Sequence, residues 1–406
     1  MTEYSIERIR EQFPILNQQV NNRPLVYLDN AASNQKPNAV VDCISNYYTS
    51  YHANIHRGAH HLAQLATEAY ENARTIIANH LNAHREEIIF TYGTTDGINL
   101  VAQTWGRKNL KQGDRIVISG LEHHSNLVPW QMVAEENGCI IDIIPVLSDG
   151  TLDMAVYDQL LEKKPKLVAV NQVSNSLGTV NPIGEIISKA KNINACVLID
   201  GAQAVSHFEV DVKQLDCDFY VFSGHKIYGP TGIGVLYGKK AILEAMPAWR
   251  GGGEMIKSVS YQSFSVNELP YKFEAGTPNI ADGIALGRAI EFVNSLGLNA
   301  IRAHENLLTK TATQRLLEVP GMRLIGTAAE KTSVISFLID GLHPYDVGTL
   351  LDQLGVAVRT GHHCTEPLMN ALGIPGTIRA SFACYNTLKE VDIFIEAVKK
   401  ASQMLS

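Results

Sequence analysis

Residues 218–234 read DFYVFSGHKIYGPTGIG, an apolar β-rich run followed by a polar, glycine-rich turn that contains Lys226. A lysine that follows the carboxyl end of a strand lies where open α/β sheets bind their ligands. Ser223 and His225 add polar groups beside it, and the glycines permit tight turns. An isolated lysine is more often a surface residue, so the interpretation of this segment depends on the rest of the chain.

Short apolar runs like this one recur along a large part of the chain. They alternate with longer helical or mixed stretches, in the order EIIFTY, RIVISG, IIDIIPV, KLVAVNQV, CVLIDGA, DFYVFSG and GIGVLYG. This alternation predicts an α/β domain with a mainly parallel, seven-stranded sheet covered by helices. We assign residues 26–290 to this large domain, and residues 1–25 and 291–406 to a smaller α+β domain.

Other segments have patterns of their own. Helical spacing of apolar residues from Leu62 to Leu81 predicts one long helix. The stretch from Trp249 to Asn279 has three consecutive glycines and few apolar pairs, and we interpret it as a loop or latch. The C-terminal third predicts, in order, a helix IADGIALGRAIEFVNSLG, a strand SVISFLI, a helix DVGTLLDQLG, a strand VAVRT and a helix through EVDIFIEAVKK.

Composition excludes several classes of function. The 34 basic and 41 acidic side chains give a net charge of -7 without long blocks of either sign, so we expect neither nucleic acid nor anionic membranes as partners. Six cysteines without a C-x-x-C pair argue against a disulfide framework or a zinc finger and fit a reducing cytosol. The first residues, MTEYSIERIREQFP, have no apolar core typical of a signal peptide or membrane span. We therefore expect a cytoplasmic protein.

Polar residues follow other predicted strands as well. Asp200 ends the strand in VLIDGAQAV, with Gln203 three residues further on. A buried carboxylate there would keep a cofactor's ring nitrogen protonated, although Asp is also a common helix N-cap. In TYGTTDGINL, Thr94 and Thr95 lie between a strand and a helical run, where backbone N–H groups and hydroxyls bind phosphate. Thr95 alone would more often be an N-cap.

His123 and Asn175 extend this pattern. His123 follows a strand in SGLEHHSNLVPW and could lie on an aromatic ring, whereas Asn175 in VNQVSNSLGTV could hydrogen-bond a ring hydroxyl. A lone histidine is more often structural. Polar segments after four successive strands nevertheless predict one common pocket.

The loop AVRTGHHCTEPLMN contains the best candidate for a nucleophile. Cys364 follows two histidines and a glycine, with Arg359 nearby and Arg379 further along the chain. Cationic and hydrogen-bonding neighbours increase the thiolate fraction of a cysteine, whereas the other cysteines lack comparable polar surroundings. A metal site at His362, His363 and Cys364 would lack a fourth suitably spaced ligand.

Several of these motifs together resemble the class V aminotransferase group of fold-type I pyridoxal-phosphate enzymes, along essentially the whole chain. The segments LDNAASNQKP, HRGAHHLAQ, EHHSNLVPWQ, DGAQAV, FEAGTPN and RTGHHC resemble the SufS-type cysteine desulfurases within that group. One departure is Thr365, where many relatives have alanine. The resemblance implies a fold-type I transferase with pyridoxal 5'-phosphate as its cofactor.

The resemblance also implies roles for individual residues. Lys226 would carry the cofactor as a Schiff base, Asp200 would pair with its ring nitrogen, His123 would stack on the ring, and Gln203 would contact the ring oxygen. The residues expected to bind phosphate are Thr94, Thr95, Ser223, His225 and, in the partner of a homodimer, Thr277. The residues expected to bind substrate are Arg379, Arg359, Asn175, Asn30, His56 and His362, with Asn175 also assigned to the cofactor.

The expected reaction takes sulfur from L-cysteine, which leaves L-alanine and a persulfide on Cys364 for iron–sulfur cluster assembly. A SufE- or SufU-type protein would accept the sulfur. The alternatives are a selenocysteine lyase acting on L-selenocysteine, an aminotransferase that uses the same pocket, and a non-catalytic scaffold protein.

Overall fold

A computed structural model describes residues 5–405 of the chain. Its helices are α1 (Ile6–Glu11), α2 (Asn38–Asn46), α3 (His61–Leu81), α4 (Thr94–Val101), α5 (Arg107–Asn109), α6 (Val128–Asn137), α7 (Met154–Glu162), α8 (Ile183–Asn192), α9 (Val212–Leu215), α10 (Lys240–Ala245), α11 (Ile280–Leu296), α12 (Leu298–Leu316), α13 (Pro344–Gln353), α14 (Glu366–Ala371) and α15 (Leu388–Leu405). Its strands are β1 (Gln19–Val20), β2 (Arg23–Pro24), β3 (Val26–Tyr27), β4 (Ile88–Thr91), β5 (Arg115–Ser119), β6 (Ile140–Ile144), β7 (Leu167–Asn171), β8 (Cys196–Asp200), β9 (Phe219–Ser223), β10 (Gly234–Gly238), β11 (Ile256–Val259), β12 (Phe264–Val266), β13 (Met322–Ile325), β14 (Val334–Ile339), β15 (Val356–Ala357), β16 (Arg359–Gly361) and β17 (Thr377–Ser381).

The central sheet contains seven strands of the described chain, in the order β4-β10-β9-β8-β7-β5-β6. Strands β5 to β9 pair in parallel, whereas β10 runs antiparallel to both of its neighbours. Each of the apolar runs singled out in the sequence contributes one strand. The predicted α/β fold with a mainly parallel sheet is therefore confirmed.

Helices cover both faces of this sheet. Ile88 and Phe90 of β4 face one hydrophobic layer, which includes buried residues of α3, α7, α8 and α11. Ile89, between them, faces the opposite layer with α4, α6 and α10. Since alternate residues of a strand point to opposite faces, strands buried on both sides have the continuous apolar sequences found here.

A second sheet has the order β13-β14-β17-β16 and is antiparallel. Buried residues of α12, α13 and α15 form its hydrophobic layer, together with Val26 of β3 and nearby Leu28. By contrast, Ile9 and Phe13 pack in the layer of the central sheet. Packing at the N-terminus thus crosses the predicted boundary at residue 26, and the division into two domains stays a prediction.

Two segments differ from their sequence-based description. The stretch from Trp249 to Asn279 is not loop throughout, because β11 and β12 form an antiparallel hairpin in it. The predicted strand VAVRT is two strands separated by Val358: β15 pairs in parallel with β3, and β16 pairs antiparallel with β17. The chain changes its pairing partner at this point, which divides the strand.

Buried Arg74 connects α3 to β4 and to the segment before α11. Its Nη1 and Nη2 donate to the two carboxylate oxygens of Glu274 at 2.6 and 2.8 Å, and its Nε donates to Glu71 at 3.1 Å. The guanidinium also lies 4.6 Å from the centroid of the Phe90 ring. Loss of this one side chain would leave buried Glu274 without its ion-pair partner, whereas Glu71 would still pair with Arg85 and His56.

We expect Arg74→Ala to lower the free energy of unfolding by about 3–5 kcal/mol, since removing one partner of a buried ion pair leaves an uncompensated charge. Arg107→Ala is the control. Arg107 pairs with Glu136 at 2.8 Å on the surface, so its loss should cost about 1 kcal/mol or less. Urea unfolding followed by circular dichroism measures both, and equal losses would contradict the assignment of Arg74.

Candidate active site

A cavity of about 180 Å³ lies at the carboxyl ends of the parallel strands of the central sheet. Asn171, Asp200 and Ser223, the last residues of β7, β8 and β9, lie on its wall. The predicted site residues that line it are Thr94, Thr95, His123, Asn175, Asp200, Gln203, Ser223, His225, Lys226, Arg359, Cys364 and Arg379. The structure therefore brings together residues from most of the length of the chain.

Lys226 ends a short helical turn that follows β9. Burial lowers the pKa of its amine to about 8, and Asp200 opposes this effect by stabilising the charged form. Burial also lowers the pKa of the adjacent His225 to about 4. The turn is anchored because the Asn34 N–H donates to the His225 carbonyl at 3.0 Å. Near neutral pH, the neutral fraction of the Lys226 amine is therefore far larger than that of an exposed lysine.

Asp200 faces the cavity from the end of the neighbouring strand, β8. Its carboxylate accepts the Ala202 N–H at 2.9 Å, and burial raises its pKa. Gly201 permits this arrangement, because a Cβ at that position would lie only 2.1 Å from the Tyr220 ring. A buried carboxylate in such a place is stabilised by a cationic partner.

Hydroxyl groups surround the N-terminus of α4. The Thr94 N–H donates to Ser223 Oγ at 2.8 Å, and the Thr94 and Ser223 hydroxyls lie 2.8 Å apart. Thr95 Oγ1 and Ser125 Oγ form a second pair at 2.6 Å. Since helix α4 has Gly93 as its N-cap, the N-cap residue itself offers no side chain to the first N–H groups of the helix, and Ser223 accepts the N–H of Thr94. Such a helix terminus favours a bound anion.

His123 is held in one orientation on the cavity wall. The Ser125 N–H donates to its Nδ1 at 3.0 Å, so the hydrogen of the neutral ring is on Nε2. Burial, followed by the charge of Lys226, lowers the pKa of the imidazole to about 3. His123 is therefore a neutral ring near physiological pH.

Cys364 is exposed at the mouth of the cavity on a turn with unusual backbone geometry. His363 and Cys364 have φ values of 53° and 57°, in the left-handed region. Each non-glycine residue there costs roughly 1–2 kcal/mol. Asn175 Nδ2 donates to the His363 carbonyl at 2.7 Å, and the His124 N–H donates to the Cys364 carbonyl at 2.8 Å. Contacts with the central-sheet layer thus stabilise the turn.

Thr365 adds to this attachment. It is buried, and its hydroxyl lies 2.8 Å from Ser176 Oγ and donates to the His362 carbonyl at 2.8 Å. Its N–H donates to the same carbonyl at 2.9 Å. An alanine at this position could make only the backbone bond.

Arg379 is 2% exposed and comes from β17 of the second sheet. Its Nη1 donates to the Asn175 carbonyl at 2.9 Å, and its Nη2 donates to Asp29 at 3.1 Å. Its buried Nε has no hydrogen-bond partner among the described residues. Because Arg379 lines the cavity, a carboxylate bound there could supply the missing acceptor.

Four predicted site residues lie away from this wall. Asn30 is buried in a network with Ser381, Tyr385 and Asn386. His56 and exposed Thr277 line a separate surface cavity. His362 is exposed beside the turn of Cys364. The assignments of these four residues stay predictions.

Sequence reasoning missed some residues that the structure places at the site. Ser125 pairs with Thr95, Asp29 pairs with Arg379, and buried His363 lies on the wall with its Nε2 2.8 Å from Thr377 Oγ1. Ser125 could have been found from its position two residues after His123. For Asp29 the sequence offers no local signal, because its partner is 350 residues away.

Comparison with known proteins agrees with this geometry. A family model described as "Aminotransferase class-V" matches residues 26–394. The chain belongs to the class-V aminotransferase family. Among family relatives, a cysteine desulfurase of Enterobacter sp. (strain 638) is 51% identical over 404 residues, which cover 99% of both chains. A cysteine desulfurase of Synechococcus elongatus is 49% identical over 98% of this chain, which spans only 64% of that longer protein.

Two solved structures are also similar. The cysteine desulfurase CsdA from Escherichia coli, in an S-sulfonic acid form, superimposes with a TM-score of 0.93 at 41% identity and covers 99% of this chain and 100% of its own. The apo cysteine desulfurase from Thermococcus onnurineus NA1 has a TM-score of 0.94 at 40% identity, with 98% of both chains covered. The similarity therefore extends over the whole fold.

Pyridoxal 5'-phosphate is the cofactor of this family, and the residues present fit it. The N-terminus of α4 and the hydroxyls beside it can bind a phosphate group. To form a Schiff base, the aldehyde of the cofactor needs a neutral amine, and burial favours the neutral form of Lys226. A protonated ring nitrogen requires a buried carboxylate, which Asp200 provides. The donors, the amine and the acceptor thus all face one cavity.

Residues 5–405 contain neither a metal-ligand cluster nor a membrane-spanning helix. No three His, Cys, Asp or Glu side chains in that range are placed to share a metal ion. None of its helices combines the length and the apolar character needed to cross a membrane.

We predict that covalent binding of pyridoxal 5'-phosphate to the apoprotein accelerates as pH rises through about 8 and then levels off, because only the neutral Lys226 amine attacks an aldehyde. Borohydride trapping at several pH values measures the rate. Asp200→Asn should shift the midpoint of this pH dependence to lower pH, since Asp200 raises the pKa of Lys226. A midpoint near 10, as for a free lysine, would contradict the burial argument.

A second prediction concerns the turn of Cys364. Thr365→Val keeps the shape of the side chain but removes both hydroxyl contacts, so amide hydrogen exchange in residues 362–366 should accelerate about tenfold. Thr365→Ser is the control: it retains a hydroxyl, so residues 362–366 should exchange about as slowly as in the wild type. If the two variants exchange alike, the hydroxyl does not hold the turn.

Proposed function

We propose that this chain is a cysteine desulfurase, which converts L-cysteine into L-alanine and holds the sulfur as a persulfide on Cys364. The observation that carries this proposal is the shared cavity. Its wall contains a buried amine at Lys226, an accessible thiol at Cys364 and a guanidinium with a free buried N–H at Arg379. The relatives named cysteine desulfurases, at about half identity over the full chain, support the same activity.

When bound, pyridoxal 5'-phosphate would supply an electron sink for charge that develops on the amino acid. Asp200 would hold the ring nitrogen protonated, and neutral His123 would lie against the ring. The phosphate would be held by the N-terminus of α4 and by the side chains of Thr94, Thr95, Ser223 and His225. Gln203 would contact the ring oxygen while one of its N–H groups donates to the Ala31 carbonyl at 2.6 Å.

Arg379 would bind the carboxylate of the substrate through its free Nε and the second hydrogen of Nη2. This pairing leaves its bonds to Asn175 and Asp29 in place. Arg359, half-exposed on the neighbouring strand, adds positive charge. The amine of Lys226, largely buried from water, would take a proton from the substrate and return it.

Cys364 would carry out the transfer of sulfur. Its thiolate attacks the sulfur of the substrate, the bond between that sulfur and Cβ breaks, and the electron pair of that bond remains with the carbon skeleton. Protonation of this carbon gives the methyl group of L-alanine. Since Cys364 is exposed on its turn, the persulfide can be reached by a second protein.

The finer assignments rest on the sequence resemblance. They are a SufS-type enzyme, a SufE- or SufU-type acceptor and delivery of sulfur to iron–sulfur cluster assembly, whereas a cytoplasmic location is proposed from the six scattered cysteines. A homodimer is proposed on the same resemblance, and Thr277, which is exposed, would then bind a phosphate in the partner subunit. His56 lies beside Thr277 and is held between Glu71 and Glu254 at 2.9 and 3.1 Å.

The position of Cys364 also bears on the alternatives. An aminotransferase or a non-catalytic scaffold has no need of a thiol at the mouth of the cavity, whereas a desulfurase requires one. A selenocysteine lyase shares the pocket and depends less on Cys364, because selenium leaves more readily. Substrate comparison with a Cys364 variant therefore separates these functions.

We expect Cys364→Ser to reduce alanine formation from L-cysteine by at least about a hundredfold, because the variant has no thiolate to accept sulfur. Mass spectrometry should find one added sulfur on the Cys364 peptide of the wild-type enzyme only. Cys139→Ser, which changes a cysteine outside the cavity, is the control and should retain full activity. Undiminished cysteine turnover by Cys364→Ser would overturn the proposal, and 3-mercaptopyruvate, the keto acid of cysteine, in place of alanine would indicate transamination.

A further inference from the structure

Glu122 is a buried carboxyl group directly before His123, and the proposed reaction does not use it. It is 4% exposed and lies in the turn after β5. Its Oε1 accepts the Asn171 N–H at 2.9 Å and pairs with the Ser119 hydroxyl, and its Oε2 accepts Asn126 Nδ2 at 2.7 Å. The side chain does not line the cavity itself, whereas the neighbouring His123 and Asn171 do.

The donors around Glu122 are fixed in direction by the rest of the structure. Trp130 Nε1 donates to Asn126 Oδ1 at 2.9 Å, so the amide nitrogen of Asn126 has to face Glu122. The N–H of Asn171 belongs to the backbone and cannot turn away. Each of these two hydrogen bonds therefore requires an acceptor oxygen, one on either side of the Glu122 carboxyl group.

This anchor does not depend on the charge of Glu122. Burial raises the pKa of Glu122 to about 8, so the carboxyl group can hold a proton near neutral pH. That proton can lie between Oε1 and the Ser119 hydroxyl, while both carboxyl oxygens still accept an N–H group. A glutamine could not replace this group, because its amide nitrogen donates but does not accept.

Glu122 connects the turn of His123 to the strand end beside Asp200. Asn171 is the last residue of β7 and pairs directly with Asp200, the last residue of β8. Within the turn, the Asn126 N–H donates to the His123 carbonyl at 2.8 Å, so the chain is held on both sides of His123. A cofactor ring that contacts both His123 and Asp200 needs a fixed separation of the two, and the bond from Asn171 to Glu122 sets it.

We propose that Glu122 is a positioning residue, whose two oxygens hold His123 at the distance from Asp200 that the cofactor ring needs. This inference rests on the proposed placement of His123 against that ring. Glu122 acts only through His123, since it has no place on the cavity wall. Loss of one acceptor oxygen releases the turn without changing any group that touches the cofactor.

The test is a double-mutant cycle on the dissociation constant of pyridoxal 5'-phosphate, measured by titrating the apoprotein and following visible absorbance. Glu122→Gln leaves one buried N–H without an acceptor and should raise this constant about tenfold. His123→Ala should raise it as well, because the contact with the ring is lost. In the His123→Ala background, Glu122→Gln should have no further effect, whereas two independent effects would multiply.

Glu390→Gln is the matched control. Glu390 is also 4% exposed and accepts the Thr387 N–H at 2.8 Å, but it lies outside the cavity. The control variant should bind the cofactor as the wild type does. If Glu122→Gln weakens binding equally with and without His123, or if Glu390→Gln weakens it as much, Glu122 has only a general structural role and the inference is wrong.

A second variant decides the question even if Glu122→Gln does not fold. Asn126→Asp combined with Glu122→Gln restores the missing acceptor, because a carboxylate at position 126 can accept both the new amide N–H and Trp130 Nε1. Cofactor affinity should then return close to that of the wild type, and failure to return would overturn the inference. His123→Ala separates the two proposals: an unchanged dissociation constant in that variant would overturn the placement of His123 itself.

Discussion

The cavity depends on the removal of an amine and a carboxylate from water at the ends of two adjacent parallel strands. Asp200 ends β8 and Lys226 follows β9, and these strands pair directly. Burial destabilises the charged form of each group, so the pKa of Lys226 falls and that of Asp200 rises. Since each group partly compensates the other, the sheet can hold both where neither would be stable alone.

Much of the fold could be predicted because its main signals are local. The central strands are buried on both faces, so each is a continuous apolar run such as that of β9. The hairpin of β11 and β12 has no such signal, because its apolar residues, including Val259 and Phe264, are exposed. The division of VAVRT also required the structure, since β15 pairs with β3 near the other end of the chain.

The site shows the same distinction between local and distant information. Lys226 and Asp200 were recognised because each lies directly after a strand in the sequence. The pairing of Asp29 with Arg379 and the contact of Asn175 with His363 join residues that are 350 and 188 positions apart. No pattern within one segment encodes such contacts. The roles assigned to individual residues came from resemblance to a family, whereas their convergence on one cavity is a property of the fold.

The antiparallel sheet of β13, β14, β16 and β17 has a mechanical consequence for the cavity. Arg379 is on β17, and Cys364 lies just after β16, whereas Lys226 and Asp200 belong to the central sheet. In the proposed reaction, the groups that bind the amino acid and attack its sulfur thus come from the antiparallel sheet, and those that hold the cofactor lie at the ends of central-sheet strands. Hydrogen bonds from Asn175, His124 and Ser176 tie residues 363–365 back to the central-sheet layer, so the separation of thiol and amine is set at the seam between the two sheets.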